Sequence, residues 1–174
     1  VKFLYNMIKL INILNEMRVN MKLTPLQSAQ NRIRDYIRNG GIGDLGLAYT
    51  PIKSLPSGLK VGGKLSLDDT LITSLPPDLK VEGSLSLDNT PITSLPPNLE
   101  IEGSLSLINA PITSLPSGLK VGSYLNLHNT LITSLPPDLE VWGSLFLYNT
   151  PLAKSHTEDQ IRLMSPGIKS AIFI

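Results

Sequence analysis

Leu71-Ile72-Thr73-Ser74-Leu75-Pro76-Pro77-Asp78-Leu79-Lys80-Val81-Glu82-Gly83-Ser84-Leu85-Ser86-Leu87-Asp88-Asn89-Thr90 is one copy of a twenty-residue pattern repeated in tandem between Gly41 and Thr150. Its core is Ile-x-Ser-Leu-Pro-x-x-Leu-x-Val-x-Gly-x-Leu-x-Leu-x-Asn-Thr. Ser-Leu-Pro begins at Ser54, Ser74, Ser94, Ser114 and Ser134. Leu59, Leu79, Leu99, Leu119 and Leu139 form a column, followed two residues later by Val61, Val81, Ile101, Val121 and Val141. Leu-x-Leu closes each copy, from Leu65/Leu67 to Leu145/Leu147, and Leu45, Leu47 and Thr50 give a partial copy upstream. No copy carries an insertion, so the register never slips.

A fixed period of this length marks units that cannot bury an apolar face alone and must stack. Each Leu-x-Leu predicts a short strand with both leucines on one face, because side chains alternate along a strand. Stacked at ~4.8 Å, six rungs would span only ~25–30 Å of parallel sheet. The return path contains Pro76-Pro77, Pro96-Pro97 and Pro136-Pro137, which favour extended backbone and lack the donors a helix needs. No outer helix is therefore expected. Six inward columns (Ile, Leu, Leu, Val, Leu and Leu) supply the core, at ~1.5–3 kcal/mol gross for each buried side chain.

These columns resemble the leucine-rich repeat family over about two thirds of the chain. The short Leu-Pro form looks like the bacterial type found in secreted effectors, and the tandem also looks like repeat proteins of bacteriophage genomes. The resemblance implies a right-handed parallel β-solenoid used for binding. Two columns depart from the family. Thr70, Thr90, Ala110, Thr130 and Thr150 occupy the usual ladder asparagine, with Asn89, Asn109, Asn129 and Asn149 one residue earlier. Gly62, Glu82, Glu102, Gly122 and Trp142 replace the first leucine. The turn after the strand is therefore expected to follow a different path, with a thinner β-solenoid as the alternative fold.

Composition narrows the function. Net charge is +1 with 17% charged residues, so no polyanion-attracting field is implied and nucleic acid is not favoured as a partner. Cysteine is absent, which excludes disulfides, thiolate metal sites and a cysteine nucleophile in this chain. The ubiquitin ligases among the similar effectors need such a cysteine, so the resemblance implies a binding module rather than an enzyme. No apolar run approaches ~18–20 residues, so no membrane span is expected.

Three regions follow: a helical cap or extension at 1–40, the solenoid of about six rungs at 41–150, and a C-terminal cap of helix plus strand at 151–174. Phe3, Leu4, Met7, Ile8, Leu10, Ile11, Leu14 and Met17 are spaced as in a helix, with Lys9, Asn12 and Asn15 between them. That helix is expected to pack on the solenoid or on a neighbouring subunit. Lys2, Lys9 and Arg18 give a membrane-surface reading little support. No small-residue cleavage site follows, so a signal peptide is not expected. Alternatively, Met21 is the native start. The compartment stays open: host cytoplasm, or virion if phage-encoded. Thr24, Pro25 and Gln27 make the start of a second helix, with Leu26, Ala29, Ile33, Tyr36 and Ile37 on its packed face and Gly40-Gly41 at its end. Lys22, Arg32, Arg34 and Arg38 make it basic; the arginines are expected to be solvated over an N-terminal cap. At the other end, Thr157-Glu158-Asp159-Gln160 predicts a capping box opening a helix to about Met164. Ile168–Ile174 is then read as a strand, either paired on the sheet edge or buried against another chain.

The positions flanking the inward leucines change character along the repeat. Lys64, Ser66, Asp68, Asp69, Ser84, Ser86, Asp88, Ser104 and Ser106 give way to Tyr124, Asn126, His128, Phe146 and Tyr148, with Trp142 nearby. In a chain with 5% aromatics, this end is the candidate partner-binding face. The competing reading packs these side chains under the C-terminal cap, with Trp142 turned inward. His128 has no carboxylate at triad or metal spacing, and Asp68, Asp69 and Asp88 lack the ligand pattern of a calcium loop. The aspartates read as a solvated face. No catalytic residue, metal or cofactor is expected. The leading function is protein binding; the alternative is a structural or assembly protein of a bacteriophage virion, self-assembling through residues 1–20 and the C-terminal strand.

Overall fold

A computed structural model describes the backbone of residues 2–20 and 23–174, and the side chains of residues 4–13 and 23–174. The readings placed on Met21 and Lys22, and on the side chains of Lys2, Phe3, Leu14, Asn15, Met17 and Arg18, lie outside the described residues. The elements are α1 (Lys2–Asn20), α2 (Pro25–Arg38), β1 (Leu45–Gly46), β2 (Lys60–Val61), β3 (Leu65–Ser66), β4 (Lys80–Val81), β5 (Leu85–Ser86), β6 (Glu100–Ile101), β7 (Leu105–Ser106), β8 (Lys120–Val121), β9 (Leu125–Asn126), β10 (Glu140–Val141), β11 (Leu145–Phe146), α3 (Pro151–Ser155), α4 (Glu158–Met164) and β12 (Ile172–Phe173).

The chain is a parallel β-solenoid. Its main sheet has seven strands in the order β1-β3-β5-β7-β9-β11-β12. From β1 to β11, each leucine pairs with the leucine twenty residues on, as Leu65 with Leu85 and Leu105 with Leu125. The expected sixth rung is present, and the C-terminal strand adds a seventh. A second sheet, β10-β8-β6-β4-β2, runs beside it. It arises from the same alternation: Leu79 and Val81 are buried while Lys80 between them is exposed. No helix interrupts residues 42–150, so the return path is extended as its prolines require. All six inward columns are buried.

The displaced asparagine and the threonine after it work together in the turn after each main strand. Asp69, Asn89, Asn109, Asn129 and Asn149 adopt φ of 56–60°, the left-handed region that Asn and Asp tolerate best among residues with a side chain. Asn109 Nδ2 donates to Asn89 Oδ1 at 2.7 Å, and Asn129 Nδ2 to Asn109 Oδ1 at 2.8 Å, which ties rung to rung. One residue later, the buried Thr70, Thr90, Thr130 and Thr150 donate Oγ1 to the leucine carbonyl three residues back at 2.6–2.7 Å. Ala110 breaks this column. Leu107's carbonyl keeps only the Ala110 N–H, at 3.0 Å. Ala110→Thr is therefore expected to stabilise the chain by about 0.5–1.5 kcal/mol, read as a rise in the thermal midpoint.

At the N-terminal end, Thr24 accepts from the Gln27 N–H and Gln27 reaches back to the Thr24 N–H, the capping box read from sequence. Ala29 and Ile33 are buried on the first rung and Tyr36 is half-buried against it. Leu26 and Ile37, expected on that face, are exposed. The rung end presents a narrow apolar surface, and only the stripe at i, i+4 and i+7 reaches it. Arg32, expected to be solvated, donates to the Gly46 carbonyl on β1. Arg38 pairs with Asp35 at 3.2 Å on the surface.

Over residues 4–13, α1 is exposed on every side, including Leu4, Met7, Ile8 and Ile11. The expectation that it packs on the solenoid is thus not met there: each apolar position in that span leaves its side chain in solvent. No helix among the described residues is long and apolar enough to cross a membrane.

Beyond Thr150 the coil continues in a longer form. Thr150 caps α3, which the sequence reading missed, and Leu152 carries on the isoleucine column with its N–H donated to the Ile132 carbonyl at 3.0 Å. The Thr157–Gln160 capping box opens α4 as expected. Ile161, Ile168 and Ile172 then complete the buried end of the core. The strand pairs on the sheet edge, Ile172 beside Leu145 and Phe173 beside Phe146.

Candidate functional site

Alternation within the main sheet decides which side chains leave the core. Leu125, Leu127, Leu145 and Leu147 point inward, so Tyr124, Asn126, His128, Phe146 and Tyr148 share the outer face. The rungs bring their rings together. Tyr124 and Phe146 meet edge to face at 6.2 Å and 81°, and His128 and Tyr148 lie 6.1 Å apart at 66°. Asn126 is held in place, because its Oδ1 accepts the His128 N–H at 3.1 Å.

Phe173 belongs to this group and was missed in the sequence. It stacks on Phe146 at 4.9 Å and 6°, and its centroid lies 6.4 Å from Tyr148. The last coil pairs residues twenty-seven apart instead of twenty, which hid the alignment. The shared pattern of an inward aliphatic followed by an outward phenylalanine was the available signal. The cap thus covers part of the cluster and leaves part of it exposed. Phe146 stacks on the cap strand, while Tyr124 and Tyr148 remain 46% and 41% exposed.

Trp142 is the exception. It is 63% exposed rather than turned inward. It follows Val141 of β10, so alternation sends it outward from the second sheet, in the column held by Glu82 and Glu102 in earlier rungs. Among the described residues no ring pairs with it, and it is not part of the cluster.

The aspartates of the early rungs are not a freely solvated set. Asp68 accepts from Ser66 at 2.9 Å, from Ser86, and from the Asp88 N–H at 3.1 Å. Asp88 accepts from Ser106 Oγ at 2.6 Å and the Ile108 N–H at 2.9 Å. Each carboxylate thus joins its own rung to the next. Burial pushes the Asp88 carboxyl above the ordinary carboxylate value, against the pull of its bonds from Ser106 and Ile108, and the Asp68 charge adds to the rise. A raised carboxyl binds its proton more tightly in the folded chain, so this group lowers stability as pH climbs from 3.8 through the raised value. Asp88→Asn keeps an oxygen to accept both bonds and removes the charge. The variant is expected to melt higher than the parent at neutral pH, with the gap closing on acidification; pH-resolved calorimetry measures it.

No group of His, Asp and Glu among the described residues is arranged to hold a metal ion. The outer face thus passes from a hydrogen-bonded Ser/Asp half to an aromatic half, with polar groups at the rims of the rings. No protein-family profile, curated protein or solved structure matches the chain.

Proposed function

We propose that the chain is a non-enzymatic protein-binding module, related in kind to leucine-rich repeat proteins, whose contact surface is the aromatic half of the main sheet. The observation that carries this reading is the concentration of Tyr124, His128, Phe146 and Tyr148 on the outer side of adjacent rungs. Aromatic rings give large contact area at low entropy cost, and buried backbone ladders hold them rigidly. The second sheet instead mixes signs along its outer side, with Lys120 paired to Glu100 at 3.1 Å, and offers no single-sign field for a polyanion.

A photo-crosslinking residue placed at Tyr124 should trap a protein partner that one placed at Thr93 does not. Loss of the adduct in Tyr148→Ser would support the face, and equal trapping at both positions would defeat it.

The apolar exposure of α1 favours a second reading, a structural or assembly component of the phage-virion type. Ile8→Glu with Ile11→Glu would then abolish assembly, whereas Tyr124→Ser would leave it intact.

A further inference from the structure

Asn39-Gly40 is the one Asn-Gly step in the chain, and the fold explains why a glycine stands there. Asn39 is the C-cap of α2, and Gly40 and Gly41 follow it with φ of 85° and 70°. The Gly40 N–H donates to the Ile37 carbonyl and the Gly41 N–H to the Tyr36 carbonyl, both at 3.1 Å. These two bonds form a helix ending whose left-handed position suits glycine and strains any larger residue. The corner that follows fastens α2 to the first rung. The Tyr36 hydroxyl lies 2.6 and 2.8 Å from the carbonyls of Gly41 and Gly43, and the Gly62 N–H donates to the Gly41 carbonyl at 2.9 Å.

The same glycine puts a reactive nitrogen beside the Asn39 side chain. A peptide nitrogen that reaches the preceding carboxamide carbon closes a five-membered imide, and glycine crowds that approach least. Asn39 and Gly40 are both exposed. A Cβ at Gly40 would have only Ile42 Cδ1 within 4 Å, at 3.9 Å. The side-chain bonds of this helix end, Arg34 to Asn31 and Arg38 to Asp35, leave the Asn39 carboxamide free. Other asparagines are held: Asn109 and Asn129 belong to the rung-to-rung ladder, and Asn126 accepts the His128 N–H. Each of these also precedes a residue with a side chain, Ala110, Thr130 or Leu127. At Gly40 the sole restraint on the nitrogen is one bond in the last turn, where helices open most readily.

We propose that Asn39 is a self-modification site whose reaction unfastens α2 from the solenoid. When the last turn opens, the Gly40 nitrogen gives its proton to solvent and bonds to Asn39 Cγ. The carboxamide C–N bond breaks, and ammonia leaves. Water then opens the imide at one of its two carbonyls. Attack at the side-chain carbonyl yields aspartate; attack at the main-chain carbonyl yields isoaspartate, which adds a methylene carbon to the backbone. That insertion draws the Gly40 and Gly41 N–H groups away from the Ile37 and Tyr36 carbonyls. Both products also place a carboxylate at the negative end of the α2 dipole. The site lies at the opposite end of the solenoid from Tyr124, so it does not rest on the binding role proposed above.

Ageing the full chain in mildly alkaline buffer, followed by peptide mapping, tests this. Aspartate and isoaspartate should appear at Asn39 before any other asparagine reacts, and Asn39→Ser should abolish the early release of ammonia. The modified fraction, separated by ion exchange, should show faster amide exchange through α2 while Leu85 and Leu105 keep the parent's rates. An Asn39 that stays intact while other asparagines react, or that reacts no sooner than they do, would overturn the proposal. So would reaction at Asn39 only after urea has unfolded the chain, since the helix ending would then be protecting it. A modified fraction whose α2 amides exchange like the parent's would overturn the unfastening.

Discussion

Leu107→Ala is expected to cost about 2–5 kcal/mol, the largest loss from a single side chain within the repeat. Leu107 is fully buried and sits in a rung with full neighbours on both sides, so no loop or chain end can collapse into the space. Its N–H donates to Asn126 and its carbonyl accepts from Ala110, which fixes the backbone around the cavity. In a stacked array such a lesion weakens both nearest-neighbour interfaces and tends to split the array there. Chemical denaturation of the variant should show a lower midpoint and a broader transition than the parent. The same change at an outward position of that rung, Ser106→Ala, loses only the bond to Asp88 and should shift the midpoint far less.

Ile172→Asp should have a comparable effect, confined to one end. Ile172 is buried against the last rung, and an unpaired carboxylate there adds a desolvation cost to the lost apolar contact. Together these come to at least about 3 kcal/mol. The cap would release before the solenoid unfolds, because undocking β12 exposes only one rung face. Release separates Phe173 from Phe146, so the near-ultraviolet aromatic signal should fall while the far-ultraviolet midpoint moves less. A variant in which both signals fall together would show that cap and solenoid form one cooperative unit.

The twenty-residue period gave the register directly, since an uninterrupted column of leucines admits only one stacking. Capping chemistry was equally legible: Thr24 and Thr157, each followed three residues later by glutamine, start helices at the expected places. The second sheet escaped because its strands are two residues long, and Leu-Lys-Val offers just one cycle of alternation ahead of a glycine. α3 was hidden by Thr150-Pro151, which in earlier rungs opens an extended return path. The competing reading that turned Trp142 inward overlooked its place in the repeat. Its column holds glycine or glutamate elsewhere and therefore already pointed to solvent.

For the candidate site, alternation was enough to place Tyr124, Asn126, His128, Phe146 and Tyr148 on one face. Phe173 was harder to place, because a coil lengthened by helices has no fixed offset to read, and only the shared aliphatic-Phe pair linked it to Phe146. The roles of Asp68 and Asp88 were likewise invisible in one dimension. Their partners, Ser86 and Ser106, lie eighteen residues on in sequence and one rung away in space.

Native-state hydrogen exchange resolved by residue tests the stacked, in-register solenoid most directly. The amides of Leu65, Leu67, Leu85, Leu87, Leu105, Leu107, Leu125 and Leu127 all donate to the following rung. They should exchange slowest, and together, because each opens only when rungs separate. The amides of Thr73, Ser74, Thr93 and Ser94 have no backbone acceptor among the described residues and should exchange orders of magnitude faster. Leucine amides exchanging as fast as those of the Thr-Ser stretch would contradict the stacking register on which the proposed binding face depends.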